Sequence, residues 1–563
     1  MNRSTENLIS GLFPLLILLT STSCVSDQNQ HAGFNHHHVS KDGSDSNPGN
    51  QPSPFLTISK AAEIAMPGDT ITVNEGIYRE WVKPRRGGSA EARITYQAAS
   101  GRDVRIIGSE PVKGWFREQT DLWKITLPDT FFGDFNPFTR AIRHPQYVDA
   151  DEGGDGWGWL RYGRWCHLGD VYLKGEGLSE KQTPQEVDED SLTWHVSYAN
   201  GMTTILANFG RIDPNESEVE INARPYAFYP DTSGLGYITF KGFTVMNIAT
   251  HWAPPTVHQP GAIGANGGHH WIIEDNIVLY SKTVAISIGI PTGQADEDAS
   301  GHHIIRNNIL MRCGQAGTTG QWWADHSQII GNHIEAINYR EEFGGWETAG
   351  IKHHAADSLI VRDNFIRDIR TADPEIGAAH GIWNDWRNTN WRVSSNIVLE
   401  AESFPILVEA NWGGPNLYEN NIFVGGEIAT FSSRGDAWVH NLFIDNDHRW
   451  INQDWSNRPP IGNLRWFNNI FLRGSMTPDV DADSLLFQGN AYLGGAVKHY
   501  QDESASLYPL AVEGTIIPTD HGVLLHMKLD EDLVRNYVSL ITPENLDLPF
   551  SFDATVNDDF FGE

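Results

Sequence analysis

The most regular pattern along the chain is a short motif that recurs through its second half. Each copy has a pair of apolar residues, a polar pair, then Asn or His before another apolar residue. The copies are WIIEDNI (271–277), HIIRNNI (303–309), QIIGNHI (328–334), LIVRDNF (359–365), WRVSSNI (391–397), LYENNIF (417–423), WVHNLF (438–443) and RWFNNIF (465–471). The repeating polar positions are Asn276, Asn308, His333, Asn364, Asn396, Asn421, Asn441 and Asn469. Their spacings of 20–32 residues, with one or more short strands each, predict a solenoid.

Asparagine favours one kind of solenoid, a right-handed parallel β-helix. Its amide side chain can stack in ladders, and it tolerates left-handed turns. Leucine-rich repeats share the period, but they need a Leu-x-x-Leu-x-Leu framework that is absent here. We therefore expect an all-β fold.

The same pattern begins near residue 55 and is then interrupted. Residues 110–232 carry alternating strand segments such as DLWKITL, TTILANF and EVEINAR without the Asn motif. Alternation of this kind predicts an inserted β-sandwich.

These patterns divide the chain into segments. We expect a signal peptide (1–23), a flexible linker (24–52), the N-terminal part of the β-helix (53–109), the β-sandwich (110–232), the main β-helix with the active site (233–494), and C-terminal strands with an acidic tail (495–563).

The N-terminus predicts export. Residues 11–19, GLFPLLILL, are apolar but too short to span a membrane as a mature helix. The following Ser21-Thr22-Ser23-Cys24 resembles a bacterial lipoprotein signal with Cys24 as the lipidated residue, although Ser21 stands where Leu is usual. The prediction is a lipoprotein of the periplasm or outer-membrane surface that contacts the membrane only through this anchor. Ordinary secretion is the alternative. Cys166 and Cys313 would remain as thiols, and their spacing does not demand a disulfide.

Composition narrows the partners. The chain has 40 Lys+Arg against 72 Asp+Glu, a net charge of -32, which argues against nucleic acid. Its 20 Trp residues supply flat surfaces for stacking on sugars. The pairs His269-His270, His302-His303 and His353-His354 each offer one metal ligand at most, because adjacent strand residues point to opposite faces. The acidic loop 149–155 lacks the glutamate that a calcium loop needs at its twelfth position. We expect neither a metal nor a cofactor.

One stretch, residues 381–414, combines aromatic residues with acids. It contains Trp383, Trp386, Trp391 and Trp412, with Asp385 in WNDW and Glu409 in LVEANW. Asp385 lies 11 residues before Asn396 and Glu409 lies 12 before Asn421, so the two acids occupy nearly the same phase of consecutive coils. Stacked strands lie ~4.8 Å apart, close to the ~5–5.5 Å between the carboxyl groups of a retaining glycosidase. The one-residue difference could instead turn one acid to the opposite face, unless a bulge or loop absorbs it. Both acids could also be solvated turn residues.

The preceding coil puts polar groups at the same phase. Lys352, His353 and His354 lie 12, 11 and 10 residues before Asn364, and Glu347 precedes them in GGWETAGIKHH.

Longer segments resemble glycoside hydrolase family 120, the β-xylosidases built on a right-handed parallel β-helix, a pectin lyase-like fold, with an intervening β-sandwich. The resemblance runs from about residue 37 to the 470s. Its segments are PFLTISKAAEIAMPGDTITVNEGIYREWVKP, FFGDFNPF, HLGDVYLKG, TTILANFGRIDPNESEVEINARPYAFYP, WAPPTVHQPGAIG, WIIEDNIVLYSKTVAISIG, AGIKHHAA and GIWNDW. Residues 145–165 and the last 70 residues match poorly.

The resemblance implies roles for individual residues. Asp385 would be the nucleophile and Glu409 the general acid/base. Glu347 would lie in the active site, Lys352 and His354 match family positions beside it, and His353 replaces an apolar residue. Trp383, Trp386 and Trp412 are expected to bind or support the substrate.

The activity implied is the release of β-D-xylose from the non-reducing ends of xylo-oligosaccharides, as in xylan degradation, with configuration retained. The partner is then an oligosaccharide; association into homo-oligomers stays open. Two alternatives remain from the residues: a polysaccharide lyase on the same solenoid, or a non-catalytic surface protein that binds carbohydrate. A lyase needs a cation or clustered Arg to neutralise a uronate, and the aromatic frames suit neutral sugars better.

Overall fold

A computed structural model describes residues 34–140, 166–251, 259–289, 301–322, 324–343, 347–372, 379–412, 414–453, 458, 460–478, 480, 482–508, 514–519 and 522–527. The predicted signal peptide, Cys24, the acidic loop 149–155 and residues 528–563 lie outside the described residues.

Three rows of short parallel strands form the body of the protein. The first row is a 13-stranded sheet. Its strands, in spatial order, are β1 (His36–Val39), β2 (Thr70–Val73), β4 (Ile94–Ala98), β15 (Ile238–Lys241), β18 (Ile272–Glu274), β21 (Ile304–Arg306), β24 (Gln328–Ile330), β27 (Ile360–Arg362), β30 (Arg392–Ser394), β33 (Asn416–Glu419), β36 (Asp436–Val439), β38 (Gly462–Phe467) and β40 (Asp483–Gln488).

The other two rows share one long strand. The second row contains β3 (Gly76–Tyr78), β5 (Val104–Ile107), β16 (Thr244–Ile248), β19 (Ile277–Ser281), β22 (Ile309–Met311), β25 (His333–Ile337), β28 (Phe365–Ile369), β31 (Ile397–Ala401), β34 (Ile422–Val424), β37 (Leu442–Ile451), β39 (Ile470–Ser475), β41 (Ala491–Leu493) and β42 (Ser506–Tyr508). The third row contains β17 (Gly261–Gly264), β20 (Val284–Gly289), β23 (Ala316–Gln321), β26 (Thr348–His354), β29 (Ala379–Asn384), β32 (Phe404–Glu409) and β35 (Glu427–Phe431), and it ends on β37. This arrangement is a parallel β-helix, which confirms the predicted fold class.

A ladder of buried asparagine amides runs along the interior. Each side-chain N–H donates to the amide oxygen of the next coil, for example Asn276 to Asn308 at 3.0 Å and Asn396 to Asn421 at 3.0 Å. The prediction is wrong at one position, because the ladder uses Asn332 and not His333. His333 pairs with Ile309, so it occupies the outward strand position that an apolar residue takes in the preceding coil. Satisfied amides of this kind hold the coils in register.

The solenoid is continuous across the insertion. Strand β4 pairs in parallel with β15, although 139 residues separate Ala98 from Ile238 along the chain. The intervening strands form two sheets around their own apolar core, which includes Trp115, Trp123 and Trp194. The sheets are β6 (Ser109–Pro111), β9 (Val171–Leu173), β10 (Glu176–Gly177) and β14 (Val219–Asn222), and β7 (Phe116–Arg117), β8 (Leu122–Pro128), β11 (Ser179–Glu180), β12 (Thr193–Ala199) and β13 (Met202–Asn208).

The inserted sheets are tied to the solenoid by a buried ionic cluster. Asp170 of the insertion accepts a hydrogen bond from the Lys282 ammonium at 3.0 Å and another from the Arg340 guanidinium. Glu342 contacts the same ammonium at 2.8 Å. Beside the cluster, Phe343 packs with apolar residues of the insertion. The insertion therefore docks on the segment that leads to Glu347.

The ends of the chain differ in part from the prediction. The linker prediction is wrong for residues 36–39, because β1 pairs in parallel with β2 and so extends the first sheet. Helix α1 (Ile58–Ile64) is capped by Thr57 and buries Ile58, Ala61 and Ala62 against the core. Helix α2 (Pro184–Glu189) lies in the insertion. At the other end, β43 (Gly514–Thr519) and β44 (Gly522–Met527) form an antiparallel hairpin. The other segment boundaries stay predictions.

Two properties of the described residues bear on the sequence analysis. Cys166 and Cys313 are both buried and are not joined to each other. Among the described residues, no helix has the length and apolarity to cross a membrane, and no cluster of three or more His, Cys, Asp or Glu could hold a metal ion.

Candidate active site

The third row of strands settles whether Asp385 and Glu409 share a face. Asn384 at the end of β29 pairs with Val408 of β32, and His353 of β26 pairs with Asn384. Val408 is in the solenoid core, as an inward residue must be. The residues that follow these pairs, His354, Asp385 and Glu409, therefore point outward side by side. The extra residue between Glu409 and Asn421 falls after β32 and before Leu417, so it does not change the face of Glu409.

A second cluster of amides supports this edge from below. The Asn411 side chain donates to the backbone oxygen of Asn384 at 2.8 Å, and the Asn388 side chain donates to the Asn384 amide oxygen at 2.8 Å. The Asn388 backbone N–H in turn donates to the Asn411 side chain at 2.7 Å. All three side chains are buried. Asn384 directly precedes Asp385, and Asn411 follows Glu409 by two residues. The cluster therefore fixes the ends of both strands.

Asp385 is a buried carboxylate surrounded by donors. It is 6% exposed, and its Oδ2 lies 3.2 Å from the Lys352 ammonium and 3.5 Å from His354 Nδ1. Its Oδ1 accepts a hydrogen bond from the Trp386 backbone N–H at 2.7 Å. Burial raises the pKa of Asp385, but the Lys352 charge and these hydrogen bonds outweigh it and hold the pKa well below the ordinary value. The carboxylate stays ionised at all ordinary pH values.

Lys352 is shared between two acids. Its ammonium also donates to Glu347 Oε2 at 2.5 Å, and Gln259 donates to the same oxygen. Glu347 and Lys352 are each 1% exposed. Burial raises the pKa of Glu347, and the positive charge of Lys352 opposes this rise. Burial lowers the pKa of Lys352, but the charges of Glu347 and Asp385 outweigh burial and raise it. The backbone of Glu347 is left-handed, with φ 99°, which is an uncommon conformation for a residue with a Cβ.

Glu409 has the opposite electrostatic environment. Burial and the negative charge of Asp385 raise the pKa of Glu409 to about 7. Three groups limit the rise: Gln453 donates to Oε1 at 2.7 Å, the Arg458 guanidinium lies 3.8 Å from the same oxygen, and Lys352 adds a second positive charge. Glu409 therefore carries a proton below neutral pH while its neighbour Asp385 is ionised. Two neighbouring carboxyl groups with separated pKa values are the arrangement that supplies a nucleophile and a general acid.

Indole rings line one side of the pair. Trp322, which follows β23, meets Trp386 edge to face at 5.5 Å between ring centroids, and Trp386 lies 6.3 Å from Trp412. Trp412 is 40% exposed and offers a free surface. Trp383 is different: it is 3% exposed, packs with Phe404, and lies under the Lys352 ammonium at 4.5 Å. It supports the lysine and presents little surface to a ligand.

The structure brings the sequence-predicted site residues together. Asp385, Glu409, Glu347, Lys352 and His354 share one cluster, with the tryptophans beside or beneath it. His353 points inward, is fully buried and lies 6.3 Å from the Trp391 ring.

The sequence analysis missed four residues that touch this cluster, namely Gln259, Trp322, Gln453 and Arg458. None of the four lies in a strand, and none is part of the repeat motif. Trp322 alone had a signal, the aromatic pair that follows β23.

Comparison with known proteins identifies the family. A solved structure described as XylC in complex with xylose is 32% identical to this chain, covers 88% of it and 90% of the other chain, and has a TM-score of 0.77. Residues 112–192 match a family model described as the insertion domain of glycoside hydrolase 120. The chain belongs to glycoside hydrolase family 120.

Other matches are weaker or shorter. Residues 41–85 match a model described as a protein of unknown function, DUF1565. An uncharacterized protein of Bacillus subtilis, YwoF, is 32% identical over 80 residues, which is 14% of this chain and 17% of that protein. The chain thus matches less than a fifth of the length of that curated relative. A structure described as a glycoside hydrolase is 12% identical, with 83% and 97% coverage and a TM-score of 0.45. Membership of family 120 confirms the predicted glycoside hydrolase with an inserted domain.

Proposed function

We propose that this family 120 member is a retaining, exo-acting β-xylosidase that releases β-D-xylose from the non-reducing ends of xylo-oligosaccharides. Asp385 is the nucleophile and Glu409 the general acid/base. Glu347, Lys352 and His354 hold the nucleophile in place.

The reaction proceeds in two steps. In the first, an Asp385 oxygen forms a bond to the anomeric carbon, the bond to the leaving oxygen breaks, and the Glu409 proton moves to that oxygen. In the second, a water oxygen attacks the same carbon, Glu409 takes a proton from the water, and the bond to Asp385 breaks. Two inversions give a product of the original configuration.

The observation that carries this proposal is the contrast between the two carboxyl groups. They stand next to each other at the ends of paired strands. Asp385 lies beside the buried Lys352 ammonium, whereas the pKa of Glu409 is raised to about 7. An ionised nucleophile and a protonated acid are both needed in the first step, and this contrast supplies both at mildly acidic to neutral pH.

Two observations support the substrate. The related structure of XylC is a complex with xylose, and it shares about a third of its sequence with this chain. The wall of Trp322, Trp386 and Trp412 suits the apolar faces of a neutral sugar.

The exo mode is supported by the insertion. It packs against Phe343 near Glu347, where it would close one side of the pocket and favour chain ends.

Incubation with xylotriose tests the proposal. We expect xylose and xylobiose early in the reaction, and β-xylose as the first anomer by proton NMR. Asp385→Asn should lose this activity, whereas Asp445→Asn, an exposed acid paired with Arg473, should keep it. Internal cleavage of xylan would refute the exo mode, α-xylose as first product would refute retention, and unsaturated sugars would indicate a lyase. Binding without cleavage would indicate a non-catalytic protein.

We also propose that the mature protein begins at Cys24 and is held on a bacterial membrane surface by lipid on that residue. The short apolar stretch before it and the small residues at 21–23 support this.

A further inference from the structure

Gln453 and Arg458 form a chain of hydrogen bonds that ends on Glu409. The Arg458 guanidinium donates to the Gln453 amide oxygen at 2.7 Å, and the Gln453 NH₂ group donates to Glu409 Oε1 at 2.7 Å. The Arg458 side chain is only 4% exposed. Both residues follow β37 in the chain.

The chemistry of arginine fixes the direction of this chain. A guanidinium has donors and no acceptor, so it can only accommodate the oxygen of the Gln453 amide. The NH₂ group of the amide must then face Glu409, and a group that donates requires an acceptor. The carbonyl oxygen is the better acceptor of the two oxygens of a carboxylic acid, and the Arg458 cation lies 3.8 Å from Oε1. Both contacts favour the carbonyl at Oε1 and the proton on Oε2.

We infer that Arg458 and Gln453 are positioning residues that hold the acid proton of Glu409 on Oε2, so that Oε2 is the oxygen that protonates the leaving group. The inference rests on the proposed role of Glu409 as the general acid. General acid catalysis requires the proton within hydrogen-bond reach of the leaving oxygen, so its placement on one of two oxygens decides whether the acid works.

The backbone of Gln453 is held in place by hydrogen bonds to the neighbouring coil. The Gln453 backbone N–H donates to the Ser432 hydroxyl at 2.7 Å, and the Ser432 backbone N–H donates to the Ile451 oxygen at 2.8 Å. Ser432 directly follows Phe431, which pairs with Glu409 across the strands. Ser432, which supports the Gln453 amide, therefore belongs to the coil next to the one that carries Glu409.

Arg458 also contributes charge. Among the described residues, the groups that face Glu409 are Asp385 directly after β29, Lys352 of β26, and Arg458 with the neutral Gln453, which follow β37. Asp385 raises the pKa of Glu409, and the two cations lower it. Loss of the Arg458 charge should therefore raise this pKa further. It should also free the Gln453 amide to rotate, so that the amide oxygen can accept a hydrogen bond from a proton on Oε1.

The test uses Arg458→Met with two substrates. Xylobiose needs protonation of its leaving oxygen, so its kcat/KM should fall about tenfold to a hundredfold. A dinitrophenyl xyloside has a leaving group that needs no proton, so its kcat/KM should change by no more than about threefold. The alkaline limb of kcat/KM for xylobiose should move up by about 0.5–1 pH unit, since an opposite charge has been removed.

Matched variants separate positioning from folding. Arg458→Lys retains a cationic donor and should recover part of the xylobiose activity. Arg449→Met, an exposed arginine of β37 paired with Glu427, should leave both activities and the pH profile unchanged. If Arg458→Met does not fold, Gln453→Met removes the donor to Glu409 Oε1 and should show the same selective loss on xylobiose.

Equal losses on both substrates, or an unmoved alkaline limb, would overturn the inference while leaving the proposed function intact. A wild-type protein that cleaves neither substrate would instead remove the proposed function itself.

Discussion

Replacement of Glu409 by Gln should stabilise the fold at alkaline pH and not at acidic pH. Glutamine keeps the shape of the side chain and an oxygen that accepts the hydrogen bond from Gln453, but it cannot ionise. In the native protein the Glu409 side chain is 13% exposed and lies beside the Asp385 carboxylate, so its ionised form is unfavourable.

The magnitude follows from linkage between protonation and folding. The pKa of Glu409 is raised to about 7, against an ordinary value of 4.5. Between these two pH values the native state binds more protons than the unfolded state, so wild-type stability falls as pH rises through this window. A shift of this size lowers the free energy of unfolding of the wild type by ~3 kcal/mol. The loss is complete above the pKa of the folded state and absent below the pKa of the unfolded state.

Thermal unfolding at a series of pH values measures this difference. We expect the melting temperature of Glu409→Gln relative to wild type to rise by a few degrees between pH ~4.5 and ~8. Any constant effect of the substitution cancels in this comparison. Glu427→Gln, an exposed acid paired with Arg449, serves as the control and should show no such trend. A difference between Glu409→Gln and wild type that is the same at every pH would refute the raised pKa and with it the assignment of Glu409 as the acid.

Three further outcomes follow from other parts of the structure. Lys352→Met removes the cation 3.2 Å from Asp385, so the depressed pKa of the nucleophile should rise and the acidic limb of the kcat/KM profile should move up by ~1–3 pH units; an unmoved limb would exclude this role for the lysine. Asp170→Asn leaves the buried Lys282 charge with one carboxylate fewer and should lower the free energy of unfolding by ~3–5 kcal/mol, measured by urea unfolding, whereas a change below ~1 kcal/mol would show that the ionic cluster does not hold the insertion. Cys24→Ala should release the protein from the membrane fraction of expressing cells into the soluble fraction; a wild-type protein that is already soluble would favour ordinary secretion.

The sequence predicted the solenoid because its strongest constraint is repeated. A buried Asn must find amide partners above and below, so it recurs once per coil and is visible without an alignment. The error at His333 comes from the apolar pair. Gln328 pairs with Ile304, so Ile329-Ile330 lies one strand position later than Ile304-Ile305, and matching the apolar pairs places the motif one residue late.

The candidate site was predictable only where it shares the phase of the repeat. Asp385 and Glu409 lie on consecutive coils at nearly equal distance from the ladder, so spacing predicted a similar phase but left open whether the two acids share a face. Gln453 and Arg458 lie outside the strands, and the position of Gln453 depends on tertiary contacts such as the bond to Ser432. No periodicity constrains such residues, and their side chains cannot be assigned to a face from sequence.

The central claim is that Asp385 attacks the sugar and forms a covalent intermediate. A xyloside with fluorine at carbon two and a dinitrophenyl leaving group slows the second step, so that the intermediate accumulates and can be digested and mapped by mass spectrometry. The account predicts one fluoroxylosyl group per chain, attached to Asp385, and its absence in Asp385→Asn. A label on another carboxylate, or an active enzyme that acquires none, would contradict it.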